Sequence, residues 1–448
     1  MRYSPPLFAL ALALTALAGL LPRAAQAIPA FARQYEMSCA VCHSAVPKLN
    51  SFGEEFAGNG FRLPGWKERG GRASYGDDQL ALPTSVPLAV RLRGFTQFRQ
   101  ADQATEDENA AQADIQGPYW IKLLGGAPLT DHVSAYFYGI LAEKGENGSI
   151  LVEDAWLSHD DLFGTGIGAQ IGQFQASDLM FAREVRLPFQ DYLAYRMAGI
   201  TYGRGVQFGT GVGPLDISVG VMNGNGIQEE RSLEASGYNR MDHTFDSDSH
   251  KSVYGRIGTG NETLSVGLFG FGGRQPNGYE QQWSDESNAP PASSAGKRIV
   301  GLDVSGQAGQ IHWYVQALHN RWTDFLKNDQ GEWDDYAWTG GFAGVDWIPS
   351  QEWAFSLLYN YADAGDLDGV DLTDNYDVEL DPDLGDSELA AVRYDGINTN
   401  LLTFTTSYYM ARNVRAMVEV NADFQDTESD GAHRESGSYF LVGLDAAF

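Results

Sequence analysis

The sequence predicts an all-β protein, an antiparallel transmembrane barrel of about 16 strands with a short, partly helical N-terminal segment in or at its lumen. Three observations predict it. Stretches of about ten residues alternate apolar with polar side chains along most of the chain, the pattern of strands with one face in lipid and the other in a lumen. The links between them alternate short and long, as in barrels that carry turns at one end and loops at the other. Beyond residue 27 no apolar run approaches the roughly 20 residues that a membrane-crossing helix needs, which excludes a helical membrane protein. A mean hydropathy of -0.29 is compatible with this, because alternation cancels in any window average.

Taken from the start, residues 1–27 read as a secretory signal peptide. Arg2 gives the positive end, Leu7 to Leu21 the apolar core, and Ala25-Gln26-Ala27 the small-residue cleavage site. The mature, exported chain then begins near Ile28. Its 52 glycines and 12% aromatic content suit many strands, tight turns and aromatic girdles. A net charge of -29 argues against nucleic acid as a partner.

Cys39 and Cys42 are the two cysteines of the chain, and they stand in Cys39-Ala40-Val41-Cys42-His43. In an exported protein this spacing reads as attachment of a c-type haem: both thiols add to the porphyrin vinyl groups from one turn, and His43 is placed to bind the iron as proximal ligand. The competing reading, a redox dithiol, normally sits in a thioredoxin-like βαβ context, and the pattern contains none.

The strands follow. In 437–448, Phe440, Val442, Leu444, Ala446 and Phe448 share one face, with Tyr439, Gly443 and Asp445 on the other. In 309–320, Ile311, Trp313, Val315 and Ala317 alternate with Gln310, His312, Tyr314 and Gln316. In 413–424, Val414, Ala416, Val418, Val420, Ala422 and Phe424 alternate with Arg415, Met417, Glu419, Asn421 and Asp423. The same test places the others near 88–100, 118–127, 131–142, 150–159, 167–175, 196–209, 214–222, 251–259, 263–273, 297–306, 336–348, 351–362 and 398–410. An even count returns both termini to one side, the periplasmic side in bacterial outer-membrane barrels. Arg91, Arg93, Gln97 and Arg99 form a basic stripe on the first strand, suited either to haem propionates or to lumenal carboxylates.

Every link after an even strand is short, and most links after odd strands are long, for example 223–250, 274–296 and 363–397. Acidic runs fall on the long links, between Asp102 and Asp114, Asp242 and Asp248, and Asp363 and Glu388. They serve either as solvated loops or as a surface that concentrates cations by long-range electrostatics.

Around the cysteines, Pro29-Ala30-Phe31-Ala32-Arg33-Gln34, Pro47, Leu49, Phe52-Gly53, Phe56 and Gly60-Phe61 join the Cys39–His43 motif. Together they resemble the fused monohaem c-type cytochrome-porin family, the outer-membrane iron(II) oxidases of iron-oxidising bacteria. The resemblance is dense over 28–64 and architectural beyond. It implies a cytochrome c-like segment at 28–87, a porin-like barrel at 88–448, and one covalent haem c. It also implies an oxidoreductase that takes electrons from extracellular Fe(II) and passes them to a periplasmic cytochrome or other carrier, from an outer membrane with the N-terminus periplasmic. A hydrocarbon core about 30 Å thick would require the haem partway through the barrel. Two readings stay open beside it: a diffusion or solute-specific porin with a haem-bearing plug, and the same conduit with another electron donor.

The second axial ligand is not supplied by a compact cytochrome. Between His43 and Met180 there is no methionine, and the only histidines are His132 and His159. Candidates are Lys48, Asn50, Asn59, water, or a lumenal side chain of the barrel; by strand parity Met417, His312 and Met222 point inward, and Met417 is the distal candidate.

Overall fold

A computed structural model describes residues 30–63, 66, 72–74, 81–83, 88–99, 113–143, 151–223, 251–261, 263–276, 294–327, 333–363, 398–411, 413–424 and 437–448. Its body is a closed antiparallel barrel in which each strand pairs with the next. The strands are β1 Leu88–Arg99, β2 Ala113–Pro128, β3 Val133–Glu143, β4 Leu151–His159, β5 Gly168–Gln175, β6 Tyr202–Val212, β7 Leu215–Asn223 and β8 Lys251–Asn261. They continue as β9 Leu264–Pro276, β10 Ser294–Ala308, β11 Ile311–Lys327, β12 Trp333–Trp347, β13 Trp353–Asp363, β14 Thr399–Ala411, β15 Val414–Asp423 and β16 Tyr439–Ala447. Closure is made by β16 on β1, with Tyr439 opposite Arg99 and Ala447 opposite Arg91. The terminal Phe448 and Val90 exchange both backbone hydrogen bonds, at 2.9 and 2.7 Å. No described helix is long and apolar enough to cross a membrane.

Side-chain alternation divides the wall as expected. On β15, Arg415, Met417, Glu419 and Asn421 are buried inside, while Val420 is 45% exposed outside. On β11, Tyr314, Gln316, Leu318 and Asn320 are inside, and Ile311 and Val315 outside. An outer face of valine, leucine, isoleucine and phenylalanine repeated round the sheet, including Ile171, Val253, Leu302 and Phe404, is stable against acyl chains and not against water.

Each of the sixteen expected strands is present, and their ends move by a few residues. The largest differences are at the strand expected over 309–320, which runs on to Lys327, at the one expected over 118–127, which starts at Ala113, and at the one expected over 196–209. Residues Leu193–Met197 form a helical turn and the strand begins at Tyr202. The short links are 128–133, 159–168, 212–215, 261–264, 308–311, 347–353 and 411–414, all at one end of the barrel. The acidic runs expected between Asp102 and Asp114, Asp242 and Asp248, and Asp363 and Glu388 lie almost wholly outside the described residues, as does the signal segment 1–27.

Besides a short two-stranded pairing of Arg72–Ser74 on Ala81–Pro83, two larger described pieces of chain are not part of the wall. The first carries helices α1 Ala30–Tyr35, α2 Cys39–Cys42 and α3 Ser51–Gly58, with a two-stranded pairing of His43–Ala45 on Lys48–Leu49 between the last two. The second is the connection from β5 to β6, residues 176–201, which includes the helical turn α4 Leu193–Met197 and lies inside the barrel. Ala176, Ser177, Leu187, Ala194, Tyr195, Ala198 and Ile200 are all almost completely buried. It reaches the wall on many sides: Tyr192 stacks on Phe342 of β12 at 4.1 Å, Asn360 of β13 accepts the Leu193 N–H, Lys297 of β10 donates to the Gly199 carbonyl, and Lys122 of β2 donates to Glu184.

Candidate functional site

The cysteine motif is built from local capping. The Ser38 hydroxyl accepts the Ala40 N–H at the start of α2, which places Cys39 and Cys42 one turn apart, both half-buried thiols. Asn50 caps α3 by accepting the Gly53 N–H at 2.9 Å, and its amide donates to the Val41 carbonyl at 3.0 Å. Its own N–H donates to the Cys42 carbonyl. A Cβ on Gly53 would lie 2.1 Å from the Cys42 carbonyl oxygen, so only glycine lets α3 close on the motif.

His43 Nδ1 lies 3.1 Å from the Pro47 carbonyl oxygen. A carbonyl only accepts, so Nδ1 carries the proton and the neutral ring keeps Nε2 as its ligand atom. Burial lowers the His43 pKa, opposed by the backbone contacts at Pro47 and Lys48 and aided by the positive charge of Arg91. Burial also raises the Cys39 and Cys42 thiols, the two cysteines adding to each other's effect at Cys42. Two thiols on one turn followed by an imidazole anchored through Nδ1 is a donor set that fits a c-type haem.

This segment occupies the mouth of the barrel at the short-turn end, not the position partway through the barrel expected for the haem. On one side Phe31, Phe56 and Phe61 pack together, and Phe61 stacks on Tyr136 of β3 and Trp156 of β4 at 5.4 and 6.0 Å. A Cβ on Gly126 of β2 would meet the Phe31 ring at 2.8 Å, so that glycine makes room for it. Arg62 donates to Thr130 and to Asp160 in two short links. Across the mouth, Lys48 pairs with Asp346 of β12 at 2.8 Å, and Tyr409 of β14 donates to the Val46 carbonyl. Ala45 packs with Leu187 of the inner connection, Ile348 and Ala354. The two inserted pieces therefore meet inside the barrel, one residue pair away from His43 in sequence.

Of the distal candidates, Lys48 and Asn50 are already engaged, in the Asp346 pair and in the α3 cap. His132 and His159 stack at 5.6 Å beside the short links, the former held by Asp160 at 2.7 Å and the latter accepting the Asp161 N–H. Asn59 is exposed at the end of α3. His312 sits in the mouth, within electrostatic reach of Lys48 and Asp346. Met222 is buried in the large lumenal cluster. Met417 points inward as its parity predicts, and Phe95, Tyr439, Leu441, Tyr119 and Phe189 enclose it. Met417→Ala is expected to destabilise the protein by about 2–5 kcal/mol through the emptied nest, read by denaturant titration. A fall in haem potential accompanying it is the mark of iron ligation by the thioether, which raises potentials.

No motif in the sequence distinguishes the inner connection. Its signal is composition: Leu179, Met180, Phe181, Leu187, Phe189, Tyr192, Leu193, Tyr195, Met197 and Ile200 are too many apolar side chains for a solvated loop.

No family model matches the sequence, and no curated protein matches it. Solved structures do. The chain resembles OmpT of Vibrio cholerae, an outer membrane protein in trimer form, at 11% identity and TM-score 0.50, over 81% of this chain and 99% of that one. It resembles the outer membrane channel DcaP of Acinetobacter baumannii at 12% identity and TM-score 0.51, over 81% and 96%. An anion-selective porin from Comamonas acidovorans matches at 12% identity and TM-score 0.50, over 81% and 99%. At such identities the likeness is one of fold, and the fold is the sixteen-stranded barrel of outer-membrane porins.

Proposed function

We propose that the chain is an outer-membrane electron conduit, an iron(II) oxidase that takes one electron from extracellular Fe(II) and hands it to a periplasmic cytochrome or other carrier. The observation that carries this reading is the Cys39–His43 segment seated in the mouth of a closed barrel, with the His43 ring anchored to Pro47. A haem c held there by Cys39, Cys42 and His43 would supply a one-electron acceptor and donor. The chain's own residues do the rest. The apolar outer face holds the barrel in the membrane, and Lys48–Asp346, Arg62–Asp160 and the Phe61 stack fix the segment against the wall. Residues 176–201 pack into the lumen between the two ends. Short turns face the periplasm in bacterial outer-membrane barrels, which supports a periplasmic position for the segment.

Stopped-flow mixing of the purified full-length protein with Fe(II) tests this. The expected result is a haem spectrum that reduces within the mixing experiment and reoxidises when a periplasmic acceptor is added. A protein that lacks covalent haem, or whose haem stays oxidised in excess Fe(II), overturns it. A solute channel is the second reading, favoured by the porin fold, and solute flux through reconstituted protein without iron-dependent reduction selects it. Haem reduction by an organic or sulfur donor and not by Fe(II) keeps the conduit and replaces its donor.

A further inference from the structure

One corner of the lumen wall holds an imbalance of charge. Arg91 and Arg93 of β1 and Arg415 of β15 converge on a single carboxylate, Asp445 of β16, with Nε of Arg91 at 2.9 Å, Nε of Arg93 at 3.0 Å and Nη2 of Arg415 at 3.0 Å. All four are buried or nearly so. The neighbouring triad of Lys122, Glu153 and Glu184 carries one excess negative charge and Asp154 lies against it, so the positive surplus is confined to the three guanidiniums around Asp445. A buried guanidinium without a compensating anion is costly, so such groups are normally paired. Arg93 is further occupied by the Trp120 ring, 4.6 Å away. Arg415, only 3% exposed, donates to the Leu187 carbonyl and to Asp445, and its Nε has no hydrogen-bond partner among the described residues.

This corner adjoins the cysteine segment. The charge of Arg91 reaches His43. Tyr409, which donates to the Val46 carbonyl, lies beside Arg415, and Leu187, whose carbonyl Arg415 binds, packs on Ala45. The open donor and the surplus charge are therefore within a few residues of the proximal histidine.

We propose that Arg91 and Arg415 form an anion seat in the barrel wall for the propionate carboxylates of the porphyrin tethered at Cys39 and Cys42. Planar guanidinium groups suit carboxylates, because their N–H donors match both oxygens. The seat makes the barrel, and not the cytochrome segment alone, responsible for orienting the porphyrin and for setting its potential. Neutralised propionates favour the reduced iron, so loss of a guanidinium stabilises the oxidised state. The inference rests on the haem reading above.

The test is redox titration of the haem-loaded, full-length protein, with assembly of each variant checked by heat-modifiable gel mobility. Arg415→Gln is expected to lower the equilibrium constant for haem reduction about tenfold, which is 59 mV for a one-electron couple, and Arg415→Lys to restore most of it. Arg91→Gln, at a more accessible position, is expected to act in the same direction and serves if Arg415→Gln does not assemble. Arg256→Gln, which breaks the pair with Asp303 elsewhere on the wall, is expected to change the constant by less than about twofold. Assembled, haem-bearing Arg91→Gln and Arg415→Gln proteins with wild-type potentials overturn the seat while leaving the haem reading intact. A wild-type potential that moves with added chloride or acetate, in a way Arg415→Gln abolishes, assigns the seat to a dissolved anion and overturns the porphyrin assignment. A wild-type protein without covalent haem overturns both proposals.

Discussion

Replacing Cys39 and Cys42 together by alanine is expected to remove all covalently bound haem and bring Fe(II) oxidation down to the rate without protein, while the barrel still assembles. The first half follows from chemistry: these are the only thiols in the chain, so no other side chain can form a thioether to the porphyrin. The second half follows from where they sit. Helix α2 packs on α3 and the short strand pair, and neither cysteine belongs to the clusters that fill the barrel. The anchors that hold the segment in the mouth are Lys48, Arg62, Phe61 and the Val46 carbonyl, and none of these is changed. Haem staining on a denaturing gel reads the attachment, and heat-modifiable migration of the same sample reads the barrel. Haem that survives denaturation in the double variant would sink the assignment of the motif. Each single variant keeps one thioether and is expected to retain stain at reduced intensity.

The wall of this protein was legible because lipid and lumen impose a period of two on every strand, and that period survives in side chains such as Arg415, Met417, Glu419 and Asn421 against Val414, Val418 and Val420. The donor set at Cys39, Cys42 and His43 was equally legible, since it is local in sequence. What sequence periodicity does not carry is how non-strand chain folds back into the lumen. Residues 176–201 occupy a position in the order of links where an outward loop is expected, and their burial depends on partners far away, such as Phe342, Asn360 and Glu419. The strand start misplaced at 196 has the same cause: Ala198 and Ile200 are apolar for the lumenal core they enter, and in sequence they continue one face of the strand. The charge surplus around Asp445 was likewise hidden, because Arg91, Arg415 and Asp445 meet only when β16 closes on β1.

Glu419→Ala is expected to release the inner connection and turn the barrel into a measurable channel. The Glu419 carboxylate is completely buried on β15. It accepts the backbone N–H groups of Phe189 and Gln190 at 2.7 and 3.0 Å, and the hydroxyls of Thr405 and Tyr439 at 2.7 and 2.6 Å. Hydrogen bonds to an ionised group contribute about 1.5–3 kcal/mol each, and a buried donor left without a partner costs about 1–3 kcal/mol. Alanine strands two backbone donors at once, and both belong to the inserted chain and not to the wall. The barrel's ladder, closed on itself by sixteen strand pairs, has no alternative pairing to adopt, so the free energy is lost where the structure is locally weakest, in the connection. Phe189 would leave the Met417 nest with it. Single-channel currents in a planar bilayer should rise from near zero in the wild type to a steady ohmic conductance in Glu419→Ala. Glu419→Gln, which keeps one carbonyl acceptor for the two N–H groups, should give intermediate, flickering openings. If the assembled Glu419→Ala barrel conducts no more than the wild type, the carboxylate is not what holds the connection across the lumen.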